Sequence, residues 1–316
     1  MEIRGSPMVV ESMIEAITNT EPTCLKSLTL SHCSSAISFP SGRLPASLKT
    51  LKICDLKKLE FPTQHKHELL ESLEIYESCD SLTSLPLATF PNLKCLRIEN
   101  CENMESLLVT GSDSPKTLSS FKICNCPNLK SLPDQMSTLF PKLENLEIFK
   151  CPEIECFPEG GMPPNLRKIV IGNCEKLLSG GAWPSMEMLT HVTIWGPCDG
   201  IRSFPKEGLL PPSLVSLRIF GFSCLETLDS KGLLHLTSLQ KLEIDCCQKL
   251  VNMEEEKLPV SLNKLREKRL LMSMQLTGNI PLYTSACRLT YTIRHVTQET
   301  VTYYCIVAGI PKGHRE

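Results

Sequence analysis

Apolar residues recur along this chain at a fixed spacing. Leu93, Leu96, Ile98 and Cys101 spell L-x-x-L-x-I-x-x-C, and the same string returns at Leu143, Leu146, Ile148, Cys151 and at Leu166, Ile169, Ile171, Cys174. The leading leucines are Leu25, Leu48, Leu70, Leu93, Leu118, Leu143, Leu166, Leu189, Leu214 and Leu239, separated by 22 to 25 residues. Within each copy the x-L-x-L stretch alternates with period two, so it predicts a short strand with every second side chain turned inward. One copy cannot bury its leucines alone. Stacked copies can, which predicts a solenoid whose strands form one parallel sheet.

Proline and glycine support this register independently. Proline cannot donate to a strand ladder, and glycine weakens one. The chain holds 23 prolines and 16 glycines, and about seven of these would fall inside the ten L-x-x-L-x-L windows at random; none does. They gather in the returns, after a second apolar pair, as in Leu59, Phe61, Pro62 and Leu129, Leu132, Pro133. Such proline-rich returns predict extended or 3₁₀ segments and no long helices.

The full string L-x-x-L-x-L/I-x-x-C-x-x-L-x-x-L/F-P, with phrases such as Cys126-Pro-Asn-Leu-Lys-Ser-Leu-Pro133, resembles the leucine-rich repeats of plant nucleotide-binding immune receptors, the NLR disease-resistance proteins, in their coiled-coil class. The resemblance runs from Leu25 to about Leu265. It implies an α/β solenoid, a leucine-rich-repeat horseshoe with a concave parallel sheet. It also implies a non-enzymatic recognition module acting in plant defence. Its partner would be a protein: a pathogen effector, a host guardee, or the nucleotide-binding domain of the parent receptor. The alternative is a generic intracellular repeat scaffold or specificity subunit with no immune role.

Domain organisation follows from where the repeat starts and stops. Residues 1–24 read as a truncated first repeat and linker, with Met1–Ser6 as the second half of a strand. Residues 25–265 form the array, ten repeats and a partial eleventh at Leu262 and Leu265. Residues 266–316 read as a divergent tail, either a gene-model artefact or a cap, with a strand pair expected between Leu289 and Val307. No G-x-x-x-x-G-K-[ST] phosphate cradle occurs. The chain is therefore expected to be a fragment, a sensor array without its nucleotide switch.

Composition narrows the chemistry. The formal net charge is −2, and a dedicated nucleic-acid binder would carry a basic excess. The first thirty residues carry several glutamates and no signal-like apolar run, no window reaches membrane-span length, and no Asn-x-Ser/Thr acceptor occurs. A cytoplasmic, reducing compartment is expected, with the 17 cysteines as thiols. Eight of them, Cys33, Cys79, Cys101, Cys126, Cys151, Cys174, Cys198 and Cys247, fall in or near the ninth column of the repeat, and Cys79 and Cys198 follow a one-residue insertion. A small, readily buried side chain with a weak donor suits that turn off the strand. Cys124-x-Cys126 lacks a second ligand pair at zinc spacing. His65-x-His67 reads as a solvated turn. No G-x-S-x-G or H-E-x-x-H motif is present, so neither catalysis, cofactor nor metal is expected. Leu276–Pro281 resembles the L-x-G-x-I-P of extracellular plant repeats, but stands alone and out of register.

Binding is expected on the outward positions of the strands. The column between the last two buried strand residues carries both signs, including Arg97 and Arg218, which suits protein recognition better than a polyanion. The next column carries Tyr76, Phe149, Trp195 and Phe220. Aromatic side chains and arginine are enriched at interface hot spots. Phe149, Trp195 and Phe220 are therefore expected to form a binding cluster with Arg218, with rings packing on one another and on loop residues as the plain alternative.

Overall fold

The structure is a computed structural model. It describes residues 1–4, 7–19, 24–33, 36–109, 114–158, 160–179, 183, 186–251, 258–271, 288–297 and 300–307. The chain divides into two compact units, Met1–Leu189 and Thr190–Glu316.

In the first unit, eight parallel strands follow one another in chain order: Glu2–Arg4, Ser27–Ser31, Thr50–Cys54, Ser72–Tyr76, Cys95–Glu99, Ser120–Cys124, Asn145–Phe149 and Lys168–Gly172. The register is one-to-one. Leu28 faces Leu51, which faces Leu73, and the row continues through Leu96, Phe121 and Leu146 to Ile169. A parallel row begins at Ile3 and Leu30 and runs through Ile53, Ile75, Ile98, Ile123 and Ile148 to Ile171. Both rows are essentially sealed from solvent. Each such side chain contributes about 1.5–3 kcal/mol on burial, so the two rows are the spine of the unit. Phenylalanines fill the space behind them, with Phe121 meeting Phe140 edge to face at 6.4 Å and Phe61 meeting Phe90 at 6.0 Å.

The returns are short. Ile37–Ser38 pairs with Leu59–Glu60, and Ser84–Pro86 with Ser106–Leu108, as minor parallel bridges. Single 3₁₀ turns occur at Pro40–Gly42 and Leu87–Thr89, and brief α-turns at Met136–Leu139 and Glu175–Ser179. The first return departs from expectation. Pro7–Asn19 is a 13-residue helix packed on the Glu2–Arg4 strand. Proline at its first position is compatible with a helix start, and Val10 and Ile14, one turn apart, are buried. No strand-closing Leu/Phe-Pro interrupts this segment, which is why the rule of extended returns fails there.

In the second unit, His191–Trp195, Ser216–Phe220, Lys241–Asp245 and Lys264–Leu271 pair in parallel. Val192, Leu217, Leu242 and Leu265 form one buried row, and Ile194, Ile219 and Ile244 a second. The second row ends at the register position of Glu267, where the sequence pattern breaks. Lys264–Leu271 then pairs antiparallel with Arg288–Thr297, which pairs antiparallel with Thr300–Val307. These last two strands occupy the region where a strand pair is expected. The Leu276–Pro281 motif lies outside the described residues. On the return, Asp229 caps the Ser230–Leu234 turn, accepting from the Lys231 and Gly232 amides at 2.9 and 3.1 Å.

Candidate functional site

Most of the strands that carry the buried rows end in the same backbone device. The residue after the strand takes a left-handed conformation at Asp55 (φ 52°), Glu77 (46°), Asn100 (56°), Asn125 (51°), Lys150 (48°) and Asn173 (52°), and at Gly221 (71°) in the second unit. Its amide donates across to the next strand's last carbonyl, as Asn125 does to Phe149 at 2.8 Å and Lys150 to Gly172 at 2.8 Å. Asparagine and glycine tolerate this region; glutamate and lysine do so at a cost. The side chains form a polar rail along the strand ends. Asn125 Nδ2 donates to Asn100 Oδ1 at 2.9 Å, and Asn100 Nδ2 to Glu77 Oε1 at 3.0 Å. Sequence reasoning missed this column, although three of its members, Asn100, Asn125 and Asn173, stand one place before a column cysteine and were a readable signal.

The eight column cysteines are all buried. One residue beyond the left-handed position, the chain must turn inward. There the thiols of Cys151 and Cys174 donate to the carbonyls of Phe149 and Gly172, each at 3.2 Å. Cys101 and Cys126 do the same to Glu99 and Cys124 at 3.5 Å. Burial pushes the Cys101 thiol up to about 11, the Cys126 thiol to about 12 and the Cys247 thiol to about 11. These are inert protonated thiols. In the repeat with an insertion, Ser78 takes the role that the sequence assigned to Cys79: its hydroxyl donates to the Tyr76 carbonyl at 2.5 Å and accepts from the Leu56 amide at 3.0 Å.

The histidine pair needs correction. His67 is half-buried, stacks on Phe90 at 5.7 Å, and its Nε2 lies 3.3 Å from the Pro62 carbonyl. Burial holds its pKa below the usual histidine value. It is packing rather than a solvated turn, because its ring is stacked on the buried Phe90. Among the described residues, no group of three or more His, Cys, Asp or Glu side chains is placed to hold a metal. No described helix is long and apolar enough to cross a membrane.

The outward face of the first unit carries both signs of charge. Tyr76 lies between two cations, with Lys52 Nζ 5.0 Å and Arg97 Cζ 5.2 Å from its ring centre, and its hydroxyl donates to Glu74 at 2.8 Å. Burial and that carboxylate together raise the phenol's pKa. Glu99 receives Arg97 Nε at 2.7 Å and Lys122 Nζ at 2.9 Å. Burial alone would raise its pKa, but these two hydrogen bonds hold it below the usual carboxylate value. Phe149 belongs to this unit, where its register neighbours are Cys124 and Gly172.

The outward face of the second unit is different. Trp195 and Phe220 are register partners with ring centres 4.4 Å apart, and the Arg218 guanidinium lies 5.8 Å over the Trp195 ring. Arg218 Nη2 donates to Asp245 Oδ2 at 3.2 Å. Its Nε and Asp245 Oδ1 are buried without hydrogen-bond partners. Trp195, Arg218 and Phe220 are thus together in one half-exposed constellation. The rings do pack on each other, yet both keep part of their surface in solvent. Arg218 is held by a carboxylate, which fixes a side chain that would otherwise lose rotamer freedom on binding.

No family model matches the chain. Over 283 residues it is 37% identical to a protein of Arabidopsis thaliana provisionally named a disease resistance protein, a match that covers 79% of this chain and 20% of the relative. The chain therefore spans about a fifth of the length of the curated relative it matches. Among solved structures, CroV588, described as a novel circular LRR protein, is similar over 80% of this chain and 41% of its own, at 18% identity and a TM-score of 0.40. The repeat, the parallel ladder it builds and the Arabidopsis kinship make this chain a leucine-rich-repeat protein similar to disease resistance proteins.

Proposed function

We propose that this chain is a protein-recognition module of a plant intracellular immune receptor of the coiled-coil NLR class, and that it binds through the outward faces of its strands. The observation that carries the reading is the Trp195–Phe220 stack with Arg218 fixed over it. Half-exposed aromatic rings and an ordered arginine on a rigid strand face have the composition of an interaction hot spot. Tyr76 between Lys52 and Arg97 is a second such place, in the first unit. Phe149 is a further contact. Kinship to a disease resistance protein supports the immune setting. In that setting the partner is an effector, a guarded host protein, or the nucleotide-binding domain of the parent receptor. The module acts in the cytoplasm, and its cysteine column serves the turn off each strand and takes no part in turnover.

The test uses a partner identified by binding to the full chain. Trp195→Ala and Phe220→Ala are each expected to weaken its affinity by more than about 1 kcal/mol, with the urea midpoint unchanged. Unchanged affinity in both variants refutes the assignment of the face.

A further inference from the structure

We infer that the outward face of the second unit, from Trp195 to Arg266, takes an acidic segment of a protein partner. This rests on the recognition reading above and adds the chemistry of what is recognised. The chain as a whole is slightly acidic, with a net charge of −2, but this face is not. Four cations, Arg218, Lys241, Lys264 and Arg266, stand on three neighbouring strands. Among the described side chains two carboxylates stand against them, and both are sunk into the face, with side-chain exposures of 10% for Glu243 and 4% for Asp245.

The buried carboxylates organise the cations. Glu243 holds Lys241 at 3.0 Å, Arg266 at 3.8 Å and Arg218 at 3.9 Å, and Asp245 holds Arg218 at 3.2 Å. Those three cations keep 34–39% of their side chains exposed, and Lys264 is exposed as well. What a partner meets is therefore cationic, preset in geometry, and bordered by an apolar shelf, Trp195 on Phe220. Among the described residues the Arg218 guanidinium makes a single hydrogen bond, so donors remain for an incoming carboxylate. An acidic stretch carrying one apolar or aromatic side chain complements both parts. A nucleic acid fits less well: the embedded carboxylates oppose a continuous row of phosphates, and the charge excess is small.

The experiment measures binding of short fluorescent peptides to the full chain in reducing buffer. One is glutamate-rich with a single phenylalanine. Its counterparts replace glutamate by glutamine or by lysine, and a single-stranded oligonucleotide serves as the polyanion control. The acidic peptide is expected to bind tightest, to weaken with salt, and to perturb tryptophan emission in a way that Trp195→Phe abolishes. Lys241→Gln with Arg266→Gln is expected to weaken it roughly tenfold. Since that double variant also strips Glu243 of its partners, Lys264→Glu, at an exposed position, supplies an independent reading in the same direction. The inference is overturned if the acidic peptide binds no better than its counterparts, if the oligonucleotide binds tighter, or if Lys264→Glu leaves binding unchanged. A neutral or basic peptide that binds and moves Trp195 emission would leave the recognition face standing while removing its acidic specificity.

Discussion

Lys150 occupies the left-handed position after the Asn145–Phe149 strand at φ 48°, and its side chain is exposed. An L-residue with a Cβ is destabilised there by about 1–2 kcal/mol relative to glycine. Glycine also makes the unfolded chain more flexible, which subtracts about 0.5–1 kcal/mol. Lys150→Gly should therefore stabilise the chain by about 0.5–1 kcal/mol, because relief of the backbone outweighs the entropy. Lys150→Ala keeps the Cβ and should change stability little, which separates backbone relief from loss of charge. Asn125→Ala at the equivalent position should act in the opposite sense. It installs the same strain and removes the 2.9 Å bond to Asn100, for a total of about 2 kcal/mol. The assay is urea denaturation of the full chain in reducing buffer, comparing midpoints at constant slope. With a slope of about 2–3 kcal/mol per molar, Lys150→Gly should raise the midpoint by about 0.3 M and Asn125→Ala lower it by more. A Lys150→Gly midpoint at or below that of Lys150→Ala would refute the idea that this column carries steric strain.

Three further outcomes follow from the core and the turns. Phe121→Ala, which empties a sealed site against Phe140, should cost about 3–5 kcal/mol, seen as a large fall in urea midpoint. Gly196→Ala should destabilise by at least about 1–3 kcal/mol, since a Cβ at this position meets the backbone of Gly221 and Phe222; thermal melting of the variant checks it. Stability should also fall as pH rises. The buried thiols of Cys101, Cys126 and Cys247 titrate near 11, 12 and 11, against 9.0 for an ordinary thiol. Their folded pKa is raised, so their contribution is complete below pH 9 and is lost as pH climbs through 9 toward 11–12. Urea midpoints at pH 8 and 10.5, with Cys126→Ala expected to flatten the slope, measure it.

The strand rows were legible because they depend on a strict period. Leucine and isoleucine at the second and third apolar positions must point inward, and the register pairs obey that until Ile244 meets Glu267. The cysteine column was legible for the same reason. What escaped were features set by backbone conformation or by single local packings. The left-handed column is marked by asparagine in only three coils, and at Glu77 and Lys150 it is held by residues that disclose no preference for it. The Pro7–Asn19 helix lies in a return, where a general rule about prolines outweighed the buried pair Val10 and Ile14. His67 looked polar because its neighbours in sequence are charged, while its neighbour in space is Phe90. For the recognition face, alternation placed Trp195, Arg218 and Phe220 on one surface. Only the side-chain geometry showed Asp245 fixing the guanidinium.

The one-to-one strand register has a consequence for how such a surface can change. Equivalent backbone positions in successive coils, such as Ser72 and Cys95 or Ser120 and Asn145, are interchangeable joints. A crossover between two copies at such joints removes or adds one whole coil and reseats leucine on leucine. The inward rows are restored while the outward row is spliced into a new order of charges and rings. Binding character can thus be reshuffled in blocks, by recombination within the gene, without any single substitution having to pass through a misfolded intermediate.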